Sequence, residues 1–510
     1  MLGAFRVAGR GGIVDRRAIA VGVRIGRCLM AGLLIAGTSS DAGKSLITTG
    51  LCRSLHRRGI AVAPFKAQNM SNNSMVCPDG SEIGRAQYLQ AQAARVEATS
   101  AMNPVLLKPG TDRQAFIVLR GEPAGSLEAG EYATGRTRLA EAAFAAYAEL
   151  AAGYDVVLCE GAGSPAEINL RAGDYVNFGL ARRFDLPVVL CGDIDRGGVL
   201  AAVFGTWAIV DDDDRSLLAG YVINKFRGDQ SVLDPGLDEL TRRTGLPCHG
   251  VLPWLPEVWL DSEDALAFAR WPRLAGASGT LRVAAIRFPR VSNATDLDAL
   301  AAEPGVRVTV TASPADVAEA DLVVLPGSRS TLADLAWLRE RGLADAVAAR
   351  ARQGRPVLGI CGGYQMLATM IDDPVESSRG TEPGLGLLPA RVRFGADKVL
   401  GRPRGAWRGH DVKAYEIHHG VVEADGGEPF LDGIRHGSVW GTIWHGTFEN
   451  DDFRRAWLSE VAAASGSSWT PTPGTLGFRQ RRERMLDGLA DAIEQHLDVD
   501  ALLGLIRRPR

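Results

Sequence analysis

The chain is poor in cysteine: seven residues in 510 (28, 52, 77, 159, 191, 248 and 361), odd in number, scattered and without a CxxC pair. That excludes a disulfide framework and a zinc ribbon, and it fits a reducing, cytoplasmic compartment. Long apolar runs are also missing. The nearest, Ala18 to Gly37, is broken by Arg24 and Arg27, so no membrane span is expected. Excess charge of either sign is absent as well. A net charge of −3 leaves no global electrostatic case for a nucleic-acid or anionic-membrane partner.

What is present is core material for several domains: 46% hydrophobic and 23% charged residues, with 60 glycines suited to many tight loops. Residues 1–29 carry six arginines against one acid, Asp15, with neither a long apolar region nor a cleavage site. A basic, poorly ordered extension ahead of Met30 is expected. Beyond it, strands alternate with helices. This predicts an α/β protein with two doubly wound, mostly parallel-sheet domains and C-terminal helices. The expected divisions are a phosphate-loop domain over 30–265, a linker over 266–280 containing Ala275 to Thr280 (AGASGT), a second α/β domain over 281–464, and a helical cap over 465–510.

The first domain is organised around AGLLIAGTSSDAGKSL, Ala31 to Leu46. A buried strand (Leu33, Leu34, Ile35) leads into a loop from Gly37 to Gly43 and a helix opening at Lys44-Ser45. Glycines let the backbone approach a polyphosphate, and helix-start N–H groups and the helix dipole attract the anion. Lys44 is expected at the terminal phosphates and the Ser45 hydroxyl at Mg²⁺. The plainer alternative is an ordinary Gly-rich turn. Five residues separate Gly37 from Gly43, where the usual pattern has four. The longer spacing, with Thr38 and Asp41, resembles the loop of the dethiobiotin synthetase-like ATPases.

Other polar groups follow at strand ends, the side of an open parallel sheet on which ligands lie. IAVAPF delivers Lys66 and the polar run Gln68 to Ser74. YDVVLC delivers Glu160, an acid placed for a second Mg²⁺ contact or, more plainly, a loop carboxylate. PVVLC delivers Asp193, Asp195 and Arg196. Strand 219–223 delivers Asn224, placed for a nucleotide base, and Lys225.

In the second domain PVLGI runs into Cys361-Gly362-Gly363-Tyr364-Gln365-Met366-Leu367, a nucleophile elbow with small residues on both sides of the thiol. Backbone N–H groups at Gly362 and at Gly327-Ser328 are candidates for an oxyanion hole. A thiol nucleophile needs a base, and the candidates are His418, His419, His436 and His445. His445 ends an apolar run before Gly446, while His418 and His419 end the strand AYEIHH. Periodicity leaves these open.

The strings APFKAQNMSNNS, DGSEIGRAQ, MNPVLLKP, EGAGSPAEINL, DIDRGGV, INKFRGD, LPGSRST, GICGGYQML, YEIHHG and GTIWHGTFEN together resemble the cobyric acid synthase family, from about residue 31 to the C-terminus. The resemblance implies a phosphate-loop amide ligase fused to a class I-type glutaminase. The implied reaction amidates peripheral carboxylates (b, d, e and g) of adenosylcobyrinic a,c-diamide with glutamine, ATP and Mg²⁺, with no bound prosthetic group. It places the nucleophile on Cys361 and its base on His445. By analogy with dethiobiotin synthetase, Lys44, Ser45, Lys66 and Glu160 take phosphate and metal roles, and Asn224 meets adenine. EGAGSPAEINL favours this family over the related a,c-diamide synthase.

Two departures stand out. Most triad glutaminases of this fold carry Glu two residues after the base; Thr447 is there instead. A Cys–His dyad is therefore expected, with Glu449 as a further carboxylate able to orient His445. Arg113-Gln114-Ala115-Phe116 replaces the Ser-Gln-Val pattern associated with the family. The rivals are a partition-type ATPase, which would lack the elbow, and a cell-wall amidotransferase, which would carry a zinc-type cysteine cluster.

Overall fold

The computed structural model describes residues 32–111, 114–128, 136–260, 280–377 and 380–507. The basic extension over 1–29, Arg113 and nearly all of the expected linker lie outside them.

Two parallel sheets form the frame. The first has six strands in the order Cys248–Pro253, Leu218–Phe226, Val188–Asp193, Gly32–Gly37, Val156–Glu160 and Val62–Phe65, all parallel. Its central strands are buried throughout. Continuous Val/Leu/Ile runs suit this position because helices cover both faces of such a sheet. The second sheet has seven strands. Val306–Thr311, Leu281–Ile286, Leu322–Leu325, Val357–Ile360 and Val439–Thr442 run parallel; Gly433–His436 and Glu428–Phe430 extend it antiparallel. Among the described residues no helix is long and apolar enough to cross a membrane.

Strand Leu218–Phe226 runs three residues past its predicted end, so Asn224 and Lys225 lie within it and Asn224 pairs in register with Asp193. Smaller sheets decorate the frame. One is built of Gln68–Met70, Val105–Thr111, Gln114–Leu119 and Glu122–Glu128; another contains Ala390–Gly401 and Glu416–Ala424. The latter strand continues well beyond His418 and His419 because Val421 and Val422 keep pairing with Arg393 and Val392.

The helix Phe478–His496 packs on the phosphate-loop helix Lys44–Arg57. A Cβ on Gly50 would stand 2.5 Å from Ile493, so only glycine allows this approach. Buried Arg53 donates to Asp487 at 2.9 Å and pairs with Glu483. The chain therefore returns, after the second sheet, to brace the helix that opens its first loop.

Candidate active sites

The first site lies at the carboxyl ends of the six-stranded sheet, in a cleft of about 1250 Å³. Gly43 has φ 108°, and a Cβ there would stand 1.8 Å from Asn224 Nδ2. That glycine is therefore obligatory on both counts. Lys44 Nζ donates to the carbonyls of Ser39 and Gly163, each at 3.0 Å, and so curls back over the loop. Thr38 Oγ1 donates to the Cys191 carbonyl at 3.4 Å. Asp41 sits at the exposed lip with φ 57°. Asn224 Nδ2 donates to the Ala42 carbonyl at 3.0 Å, beneath the loop.

Glu160 is fully buried and gathers three donors: Ser45 Oγ at 2.9 Å, Lys66 Nζ at 2.8 Å and Gln90 Nε2 at 2.6 Å. Burial opposes its charge, but Lys66 and these hydrogen bonds override it and hold the carboxyl below the usual range. The 2.9 Å between Ser45 Oγ and Glu160 Oε1 matches the spacing of adjacent ligands on an octahedral ion with bonds of about 2.0–2.1 Å. These two oxygens therefore fit Mg²⁺. No group of three or more His, Cys, Asp or Glu side chains able to hold a metal ion occurs among the described residues.

The second site is built on Cys361. Its backbone stands at φ 49°, ψ −111° between strand Val357–Ile360 and helix Gly362–Leu367, a strain of about 1–3 kcal/mol held by the surrounding packing. A Cβ on Gly363 would meet the Leu325 carbonyl at 1.9 Å, and one on Gly362 the Ser328 nitrogen at 2.7 Å. These glycines bring the elbow against Gly327-Ser328, the other expected oxyanion donor. Cys361 lines a cavity of about 50 Å³ with Arg329, Glu376, Lys398, His419 and Lys108. Arg329 pairs with Glu376. Its guanidinium also stacks 4.0 Å over Phe116, so one residue of the divergent stretch supports a side chain of the thiol's cavity. The thiols of Cys77 and Cys191 are pushed up to about 12, chiefly by burial, as befits inert core sulfurs.

His445 is the imidazole the fold brings to this thiol. It is fully buried, and its Nε2 has no hydrogen-bond partner. Its Nδ1 is 2.6 Å from Asp296 Oδ2, while Asp296 Oδ1 accepts from the Gly446 N–H at 2.6 Å. Burial opposes a charge on the ring. The Asp296 carboxylate and the Cys361 sulfur outweigh it and raise the imidazole to about 10.

The expected dyad is thus corrected to a Cys361–His445–Asp296 arrangement. Asp296 opens the helix Asp296–Ala301, 149 positions before the histidine. Sequence reasoning missed it, and the only local signal was an acid at a helix start after the polar Ser292-Asn293. Glu449, the carboxylate considered instead, is turned away: it accepts from Arg85 at 2.5 Å and Arg482 at 3.4 Å. His418 and His419 belong to the neighbouring strand. His419 is driven down to about 4 by burial and nearby cations, Lys398 foremost. His436 is exposed.

Two predictions separate these carboxylates. Asp296→Asn should reduce glutamine hydrolysis by on the order of 10²–10⁴-fold, as loss of an orienting carboxylate does elsewhere. It should also move the alkaline limb of the pH profile downward from about 10 toward the free-imidazole range near 6.5, because the ring loses the anion that keeps it protonated. A purely structural role would leave that limb in place. Glu449→Gln should lower the thermal midpoint, since buried Arg85 loses one charged partner, while leaving the hydrolysis rate near wild type; a large rate loss would restore Glu449 to the site.

Residues 282–453 match the CobB/CobQ-like glutamine amidotransferase domain family, and residues 33–266 the CobQ/CobB/MinD/ParA nucleotide binding domain family. The chain is 64% identical to a cobyric acid synthase of Cutibacterium acnes, over 94% of this chain and 100% of that protein. It is 56% identical to those of Streptomyces avermitilis and Mycolicibacterium gilvum, each over 94% of this chain and 97% of the relative. A solved glutamine amidotransferase aligns with 36% of this chain and 98% of its own, at 19% identity and a TM-score of 0.30.

Proposed function

The chain belongs to the cobyric acid synthase family of glutamine-dependent amide ligases, and from that premise we propose that it amidates the b, d, e and g carboxylates of adenosylcobyrinic a,c-diamide in the cytoplasm, through two reactions at the two sites described. The observation that carries this reading is His445, locked by Asp296 and left with a free Nε2 beside the Cys361 elbow.

In the glutaminase site, Cys361 sulfur attacks the side-chain carbonyl carbon of glutamine. The oxyanion that forms is met by backbone N–H groups at Gly362 and Gly327-Ser328. His445, protonated and held by Asp296, gives its proton to the departing nitrogen, and ammonia leaves a thioester that water hydrolyses to glutamate.

In the ligase site, the loop from Gly37 through Thr38 and Asp41 to Gly43 surrounds the nucleotide phosphates, and Asn224, expected at the base, instead braces the loop from beneath through the Ala42 carbonyl. Lys44 and Lys66 steady the γ-phosphoryl group as a substrate carboxylate oxygen attacks it, giving an acyl phosphate and ADP. Ser45 and Glu160 would hold Mg²⁺, which when bound offsets charge on the phosphates. Ammonia then attacks the acyl carbon and phosphate departs. The cleft's volume of about 1250 Å³ exceeds the usual range of about 300–1,000 Å³ for a small-ligand pocket, which supports a nucleotide and a macrocycle side by side.

Mass spectrometry of the a,c-diamide incubated with enzyme, glutamine and ATP tests the proposal. Each amidation exchanges hydroxyl for amino and lowers the mass by that difference. A ladder of such steps is expected. An unchanged a,c-diamide, with cobyrinic acid amidated instead, would assign the chain to the earlier a,c-diamide reaction.

A further inference from the structure

Past Glu160 the chain runs through Gly161-Ala162-Gly163 into a short 3₁₀ turn, Ile168–Gly173, at the ligase cleft. No residue of that turn is buried. Two of its side chains are nevertheless large and apolar: Ile168 is 52% exposed and Leu170 45%. Leu170 lines the cleft, and so does Met70, 49% exposed at the end of strand Gln68–Met70. A single exposed apolar side chain is ordinary. Three of them on two segments that border one cleft mark a surface for a ligand to cover.

Polar anchors fix this ledge in place. Arg171 donates to both carboxylate oxygens of Asp214, at 2.5 and 2.8 Å. At the end of the turn the Asp174 carboxylate accepts from the N–H groups of Val176, Asn177 and Gly179, at 2.8, 2.9 and 2.9 Å. The backbone is therefore set while Ile168 and Leu170 stay exposed. The same segment touches the phosphate-loop lysine, because Lys44 Nζ donates to the Gly163 carbonyl at 3.0 Å. Cations border the ledge as well. Arg136 lies against its far end, where a Cβ on Gly173 would stand 2.5 Å from the guanidinium, and Arg136 and Arg196 both line the cleft.

An apolar plate with an anionic rim complements such a surface, and a corrin is a plate of this kind: a broad, methyl-bearing ring with carboxylates around its edge. The amidation of four of these carboxylates adds a second requirement. Each has to reach one γ-phosphate, so the ring must be accepted in more than one orientation. A set of hydrogen bonds selects one orientation. Apolar contact is non-directional, and a methionine side chain adapts to several shapes.

We propose that Ile168, Leu170 and Met70 form the ledge on which the face of the corrin ring rests, and that Arg136 pairs with a rim carboxylate other than the one reacting. This rests on the two-site reading above. The ledge holds the ring, which every amidation state shares, and leaves the edge free to be presented at the phosphate.

Equilibrium dialysis, read by the colour of the corrinoid itself, tests this with two ligands: the a,c-diamide and the fully amidated product. Ile168→Ser combined with Leu170→Ser should weaken both on the order of ten-fold, with KM for ATP and for glutamine unchanged. Both positions are exposed, so the thermal midpoint should hold. Leu170→Met keeps the apolar contact and should bind both ligands nearly as the wild type does. Arg136→Gln should weaken the a,c-diamide several-fold and the product hardly at all, since amides have replaced those carboxylates. Unchanged binding of both corrinoids by the double serine variant would overturn the proposal. So would weakened binding of the a,c-diamide alone, which would show that edge groups and not the ring are held there. A rise in KM for ATP would do the same by assigning the ledge to the nucleotide. Failure of the two-site reading itself looks different: the wild-type enzyme would bind neither corrinoid.

Discussion

Cys361→Ser should abolish glutamine use while sparing amidation from added ammonia. A serine hydroxyl is a far poorer nucleophile than a thiol beside an imidazolium, and removing a nucleophile that works with its base costs on the order of 10⁴-fold or more. The elbow itself should survive, because its geometry comes from Gly362 and Gly363 lying against Ser328 and Leu325 rather than from sulfur. The ligase cleft shares no reacting group with Cys361, so ammonium salt at alkaline pH bypasses the defect. Two assays on one protein check this: glutamate release from glutamine and amide formation from ammonia. A Cys361→Ser enzyme that amidates from glutamine at the wild-type rate would falsify the assignment.

Lys44→Ala should have the opposite reach and lose amidation from either nitrogen source. Lys44 Nζ now bonds the Ser39 and Gly163 carbonyls, two contacts it can trade for phosphate oxygens without moving the helix. Losing one positioned cation at a transferring phosphoryl group is worth about 10²- to 10³-fold. Glutamine hydrolysis at Cys361 need not stop, so glutamate formed without amide is the expected signature. The loop should hold its shape, since Asn224 fixes the Ala42 carbonyl independently. Full amidation in the Lys44→Ala enzyme would remove the phosphate-loop role.

The sequence by itself determined what local spacing encodes. Gly37 to Gly43 before Lys44-Ser45 is a covalent pattern, and its function depends on neighbouring backbone. The same holds for Cys361 between Ile360 and Gly362. Parallel strands ending in Lys66, Glu160 and Asp193 were legible because a continuous apolar run buried on both faces has few other fates. The family itself was legible from its many strings, and the relatives bear it out.

Only the tertiary structure decided which distant groups meet. Asp296, at the start of the helix that follows Leu281–Ile286, and His445, just past Val439–Thr442, touch because the second sheet sets those two strands on either side of the strands leading to Gly327 and Cys361. Glu449 is much closer to His445 in sequence, yet two arginines from elsewhere claim it, Arg85 from the first domain and Arg482 from the last long helix. The docking of Phe478–His496 on the phosphate-loop helix, and the bond from the Ser74 N–H to Asn293 Oδ1, likewise join segments hundreds of residues apart. A linear pattern reports periodicity and loop chemistry. It carries no information about partner choice among many equivalent charges, because that choice is made by burial and packing once the chain has closed on itself.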